Sequence, residues 1–242
     1  MMTNTEIYYK SLTETLDKIH NTQTEAIAQT AKQIARTIEN DGIIYVFGCG
    51  HSHLIAGDAF YRAGGLANVC AMFDTDLMLH NGAAKSSALE RMEGIAKHIY
   101  RRYAPTEKDA LIVISTSGIN SVPIEMASLG KANGVFTAAI CSSSYFGKTS
   151  RHSSGKLLYQ CADIYLDNCV PAGDAVVDIE GIRMGAVSTA ASALILNSIL
   201  VEAAGIAAAK VKPPIYMSGN VEGGAEYNEA LIERYTSRIK HL

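Results

Sequence analysis

Residues 43–52, Ile-Ile-Tyr-Val-Phe-Gly-Cys-Gly-His-Ser, decide the fold. A short, unbroken run of apolar and partly β-branched residues shows no polar face to water. It therefore reads as a strand covered on both sides, as strands are in a parallel sheet. The run ends at glycine and leads into a helix-like stretch over residues 52–62. The same succession then recurs. Residues 67–73 read as a strand closed by Asp74, 86–103 as a helix, 110–114 as a strand, 122–131 as a helix and 135–141 as a strand. Strands alternating with helices imply an α/β fold with a parallel sheet.

Working outward, residues 6–39 contain neither glycine nor proline and carry Leu12, Leu16, Ile19, Ile27, Ala31, Ile34 and Ile38 at helical spacing, giving one long helix or two short ones. Beyond the fourth strand comes a polar loop, 142–156, then a weak strand at 163–166 and a long apolar helix from about 184 to 204. A further short strand at 215–217 and a last helix over about 224–239 complete the chain. The expected architecture is a three-layer α/β/α sandwich around a mainly parallel five-stranded sheet. It forms one domain, with residues 1–40 as a helical extension, 41–205 as the core and 206–242 as a C-terminal tail and helix.

Composition narrows the function classes. The 242 residues are 48% hydrophobic and 19% charged, enough for a buried core and unlike a disordered chain. The formal net charge of −3 provides no basic footprint for nucleic acid or an anionic membrane, although a small anion can still be held by amides and hydroxyls. Five cysteines, an odd number without a CxxC pair, read as reduced thiols of a cytoplasmic protein, and the N-terminus shows no secretory signal. The most apolar region, 185–211, is interrupted by Ser188, Thr189, Ser192, Asn197, Ser198 and Glu202, so it reads as a buried helix rather than a membrane span.

In a parallel α/β sheet, ligands bind beyond the carboxyl ends of the strands. Two such ends are rich in glycine and hydroxyls: Gly48-Cys49-Gly50-His51-Ser52 and Ser115-Thr116-Ser117-Gly118-Ile119-Asn120-Ser121. Glycine admits an anion close to the backbone, the helix that follows offers free N–H groups, and serines add donors. Each loop alone would pass for an ordinary turn with a serine N-cap. Two on neighbouring strands would make a phosphate cradle.

These segments resemble the sugar isomerase (SIS) domain family of phosphosugar-binding proteins over most of residues 40–205, through IIYVFGCGHSHLIAGDAF, ALIVISTSGINSVPIEMASLGKANGVFTAAIC and the strand and helix from Asp163 to about Ala204. The likeness is greatest to phosphoheptose-isomerase-like proteins of largely unassigned function, whose tail resembles PPIYMSGNVEGG at 213–224. The resemblance implies that Ser115, Ser117 and Asn120 hold a sugar phosphate, with Thr116 and Gly118 contributing backbone. It places Ser52, with Gly48 and Gly50, in the first loop against the sugar. A proton-transferring carboxylate is implied on the helix after the second strand, where Glu90 and Glu93 stand, and Glu90 is favoured as nearer the strand ends. His80 and His51 are the candidates for opening the sugar ring, since imidazole exchanges protons near neutral pH. Asn220 and Glu222, in the glycine-rich tail, are further residues that would close the pocket, from another subunit. The implied activity is aldose–ketose isomerisation of a phosphorylated sugar, with no cofactor. A lyase acting on an amino-sugar phosphate and a non-catalytic phosphosugar sensor are the alternatives on the same site.

Other motifs fail on their spacing. GCGHSH at 48–53 is similar to the dinucleotide fingerprint GxGxxG, with Asp74 where a ribose-binding acid would stand, but His53 replaces the third glycine. Gly147-Lys148-Thr149 lacks the first glycine of a P-loop, where Ser142 stands, and Leu54 occupies the last glycine of a nucleophile elbow. Cys49, His51 and His53 alternate along a turn and need not converge, and no other ligand group has zinc-finger spacing, so no metal is expected. The long first helix and the apolar helix near 184–204 exceed what one small domain need bury, which implies a homo-oligomer, a dimer or tetramer.

Overall fold

A computed structural model describes residues 2–242. Helix α1, Asn4–Glu39, opens with a capping box in which Thr3 and Glu6 satisfy each other's backbone N–H groups. The chain then runs through β1 (Ile44–Gly48), α2 (Ser52–Ala59), β2 (Val69–Ala71), α3 (Ala83–Leu89), α4 (Ala96–Tyr103) and β3 (Ala110–Ile114). It continues through α5 (Ser121–Ala132), β4 (Phe136–Cys141), β5 (Ile164–Asp167), the β6–β7 hairpin (Ala175–Ile179 and Ile182–Ala186), α6 (Ser188–Ala207) and α7 (Gly224–Thr236).

The five strands β1 to β5 pair in parallel in the order β2-β1-β3-β4-β5. Alternate residues serve opposite faces. Ile44, Val46, Ile112, Ile114 and Ile140 pack with the buried stripes of α1, α2 and α6. Tyr45, Phe47, Leu111, Val113 and Ala139 pack under α4, α5 and Tyr235 of α7. These are the three layers expected from the doubly covered strands. The topology also positions the site. The chain leaves β1 towards one edge and returns at β3 on its other side, with Gly48 in register with Ile114. The two glycine- and serine-rich loops therefore emerge side by side where the strand order reverses, the place where open α/β sheets leave a crevice.

Several elements depart from expectation. The single helix foreseen over 86–103 is two, α3 and α4, separated by a turn over 90–95. Gly94 takes φ +87° there, while the start of α5 captures the turn: the Val122 N–H donates to Glu90 O and the Ser121 hydroxyl to Arg91 O. Apolar spacing carries across this break, so only Gly94 marked it. The apolar helix begins at Ser188 rather than near 184, because 175–186 form a hairpin around Glu180 and Gly181, both at positive φ. Its outward residues Ile182 and Met184 are exposed and gave no buried-strand signal. The second strand shortens to Val69–Ala71, the helix after β1 ends at Ala59, and the strand foreseen at 215–217 is one antiparallel bridge between Leu66 and Ile215.

Candidate functional site

The loops after β1 and β3 open onto a cleft of about 350 Å³. Each loop is shaped by glycine. A Cβ on Gly48 would lie 2.6 Å from the Ser52 backbone, so only glycine lets the chain turn directly into α2. Gly118 takes φ +60°, and a Cβ there would sit 3.2 Å from Leu158 Cβ. Gly48 and Gly118 thus shape the loops without lining the cleft.

The β3 loop is held on its outer side by the strap between β4 and β5. Ser142 N–H donates to Thr116 O, Arg151 N–H to Ile119 O and Leu158 N–H to Gly118 O, at 2.8–2.9 Å. Buried Asn168 donates to the Thr116 hydroxyl at 3.3 Å and to Ser192 at 3.1 Å. Ser115, Thr116, Ser117 and Asn120 line the cleft together with Gly50, His51 and Ser52 from the first loop. Asn120 precedes the first turn of α5, and Arg151 donates to its Oδ1 at 2.6 Å, setting a guanidinium behind it. No lysine or arginine is among the lining residues. An anion here would be met by hydroxyls, amides and the N-terminal dipole of α5.

Glu90, at the C-cap of α3, lines the same cleft beside Asn120. Burial pushes its carboxyl above the ordinary carboxylate range, against the opposing effects of the Asn120 amide and the Arg151 and Arg91 guanidiniums. One turn earlier, Ser86 Oγ is sealed from solvent without a hydrogen-bond partner among the described residues. An unsatisfied buried hydroxyl is costly unless a ligand completes it. Cys49 lies at the floor with its thiol pushed well up by burial, so it stays protonated and is no nucleophile at neutral pH.

A third wall was not foreseen. Asp174, Ser188, Gly173 and Tyr145 line the cleft. Asp174, at φ +65°, accepts from the N–H groups of Val187 and Ser188 at 3.0 and 2.8 Å and so caps α6. Only the tertiary structure brings these residues in, from chain segments well beyond the β3 loop in sequence. Ser86 and Ser87 were within reach of the sequence, one helical turn from Glu90.

Of the three expected acid–base residues, Glu90 and His51 reach the cleft, and His80 does not. His80 is exposed, and its ring packs 5.5 Å from the buried His53 ring. His53 Nδ1 is bonded to Gly50 O, and His53 is not among the residues lining the cleft. Glu93 points away from the cleft to the strap, accepting from Ser153 N–H and Oγ. Asn220 and Glu222 are exposed in the tail and do not line the cleft.

Comparison with known proteins agrees with this geometry. The model of the SIS domain matches residues 7–142. A UPF0309 protein of Caldanaerobacter subterraneus subsp. tengcongensis is 43% identical, covering 98% of this chain and 99% of that one. Among solved structures, the phosphoheptose isomerase of Neisseria gonorrhoeae superposes with a TM-score of 0.55 at 18% identity, covering 80% of this chain and 94% of that one. The NanR protein of Vibrio vulnificus, complexed with ManNAc-6P, superposes with a TM-score of 0.50 at 14% identity, covering 96% of this chain and 67% of that one. Sheet order, paired loops and whole-length similarity together establish that the chain belongs to the SIS-domain family and, within it, to the UPF0309 proteins.

Proposed function

We propose that the cleft binds a phosphorylated sugar and isomerises it between aldose and ketose forms. The observation that carries this reading is that a desolvated carboxylate, Glu90, shares one cleft with the hydroxyl- and amide-lined loop from Ser115 to Asn120. The solved structures similar to this chain lend it support: one is named a phosphoheptose isomerase, and another is complexed with ManNAc-6P.

The phosphate would be gripped by Ser115, Ser117 and Asn120 at the α5 N-terminus, with Ser52 orienting the sugar. Charge-assisted hydrogen bonds of this kind are the strong ones. The open-chain sugar would then extend towards Glu90. Its carboxylate takes the proton from C2 while the C1 carbonyl oxygen takes a proton from solvent and becomes a hydroxyl, leaving an enediol. Protonation of C1 by the Glu90 carboxyl, whose proton exchanges with solvent while the enediol stands, then gives the ketose as the C2 hydroxyl releases its proton to solvent and becomes a carbonyl. Ser86 Oγ, one turn from Glu90, is placed in this reading to hydrogen-bond the sugar hydroxyl that changes state. His51, at the exposed rim, exchanges the proton that opens the ring.

Proton NMR of aldose and ketose phosphates in D₂O tests the reading. Interconversion with deuterium entering at C1 or C2, lost in Glu90→Gln, is the expected result. Loss of a substituent at C3 with formation of an enol-derived product would make the protein a lyase on the same base. Binding of the sugar phosphate without exchange would make it a sensor.

A further inference from the structure

On the far side of α5 from the sheet, three segments distant in sequence meet. Glu93 comes from the turn between α3 and α4, Glu125 from α5 and His152 from the strap between β4 and β5. Their donor atoms all lie within 4.8 Å of one another. His152 Nε2 is 3.7 Å from Glu125 Oε1 and 3.9 Å from Glu93 Oε2. We propose that these three side chains form a binding site for a zinc-class divalent cation, which fastens the strap to the rim of the cleft.

The ligand set suits such an ion. Zinc takes imidazole nitrogen and carboxylate oxygen at about 2.0–2.2 Å, which sets neighbouring tetrahedral ligand atoms about 3.4 Å apart. The two imidazole–carboxylate separations need to close by only about half an ångström to meet that spacing. The outer contacts are those that orient metal ligands. The other imidazole nitrogen, Nδ1, is hydrogen-bonded to Ser154 Oγ at 2.7 Å, which leaves Nε2 directed at the carboxylates. Glu93 is steadied by the Ser153 N–H at 2.6 Å, and Glu125 Oε1 by the Gly94 N–H at 2.6 Å.

A second observation points to a missing ligand. Glu125 Oε2 is sealed from solvent and has no hydrogen-bond partner among the described residues, and the Glu125 side chain as a whole is only 16% exposed. A buried carboxylate oxygen left without a partner is costly, and a cation held by both oxygens of Glu125 would satisfy it. An imidazolium alone would offset one of the two carboxylate charges and would still leave that oxygen unpaired. The three protein ligands leave a fourth position to water. The site lies outside the cleft, so its role is positional. The strap it would fix carries Arg151, which backs Asn120, and Tyr145, which lines the cleft.

The full-length protein, freed of metal with a chelator, would be titrated with Zn²⁺, Co²⁺ and Mg²⁺ separately, by calorimetry and by thermal melting. One equivalent of Zn²⁺ bound, a raised melting temperature and no response to Mg²⁺ are expected, since Mg²⁺ favours six oxygen ligands. Co²⁺ should give visible d–d bands without the near-ultraviolet thiolate charge-transfer band that binding at a cysteine would produce. His152→Ala and Glu125→Gln should each weaken Zn²⁺ at least 100-fold. Should His152→Ala fail to fold, Glu93→Gln replaces it. Absence of Zn²⁺ uptake, a thiolate band, or unchanged affinity in the variants would overturn the site and leave His152 as an ion-pair partner. None of these readouts depends on phosphosugar turnover, so the site stands or falls separately from the proposed activity.

Discussion

Replacing Glu90 with glutamine separates chemistry from stability. As the proton carrier its loss should cut turnover by about 10²–10⁴-fold with phosphosugar binding retained, read by NMR exchange and by thermal shift. The stability effect runs the other way. Because burial raises the Glu90 carboxyl in the folded protein, folding opposes its ionisation at neutral pH. Glu90→Gln should therefore melt at or above the wild-type temperature at pH 8. The gap should close as the pH falls below the ordinary carboxylate range, where both states are protonated. For the same reason the acid limb of the turnover profile should lie above that range. A melting temperature lowered at pH 8 would mean that Glu90 serves the fold instead. In the proposed binding mode Ser117→Ala removes one hydroxyl donor to a charged phosphate, a contact worth about 1.5–3 kcal/mol, so phosphosugar affinity should fall about 10- to 150-fold in calorimetry. Ser117 could be singled out from sequence by the strand-end loop it stands in, and Glu90 through the resemblance to the SIS-domain family, which implies a carboxylate on that helix. Asp174 and Ser188 could not, since nothing near them in sequence announces that they face the β3 loop.

At the scale of elements, glycine decides where strands hand over to helices. Gly48→Ala sets a Cβ against the Ser52 backbone and should cost about 1–3 kcal/mol, seen as a lowered denaturation midpoint. The last helix is tied back through Asp41, which receives Arg234 at 2.6 Å and Arg238 at 2.8 Å. Partial burial works to raise the Asp41 carboxyl, but the two guanidiniums prevail and hold it below the ordinary carboxylate range. That stabilisation is therefore present above the unfolded value and is lost as the pH falls through the folded one. Asp41→Asn should lower the melting temperature slightly at pH 7, by the equivalent of about 0.2–1 kcal/mol for so exposed a network. The difference should vanish in acid. The elements most legible in sequence were those with continuous buried faces, β1, β3 and β4. The break between α3 and α4 and the β6–β7 hairpin were hidden, the first because apolar spacing ran across it and the second because its side chains face solvent.

For the whole molecule, α6 raises the question of what covers it. Its 20 residues are long and apolar enough to cross a membrane by length and composition, yet Ile195, Leu196, Ile199 and Ala203 are buried against α1 and the sheet. Its other side leaves Val201 71% exposed, and the neighbouring hairpin leaves Ile182 75% exposed. We propose that a second copy of the chain covers part of this apolar surface. Sedimentation at micromolar concentration should then give at least twice the 25.9 kDa chain mass. A monomer would refute it, and Val201→Glu should dissociate the assembly without lowering the helical signal.

The class of fold and the two loops were legible along the chain, because hydrophobic runs covered on both faces and glycine at strand ends are local properties written at adjacent positions. Ser117 was legible as part of such a loop, and Glu90 through the family resemblance. Which distant residues share a wall was set by packing. Asp174 and Ser188 join the cleft, His80 leaves it, and Glu93, Glu125 and His152 gather behind α5. Those meetings depend on how the crossovers pack over a sheet whose order reverses between β1 and β3, and no periodicity along the chain encodes that distance.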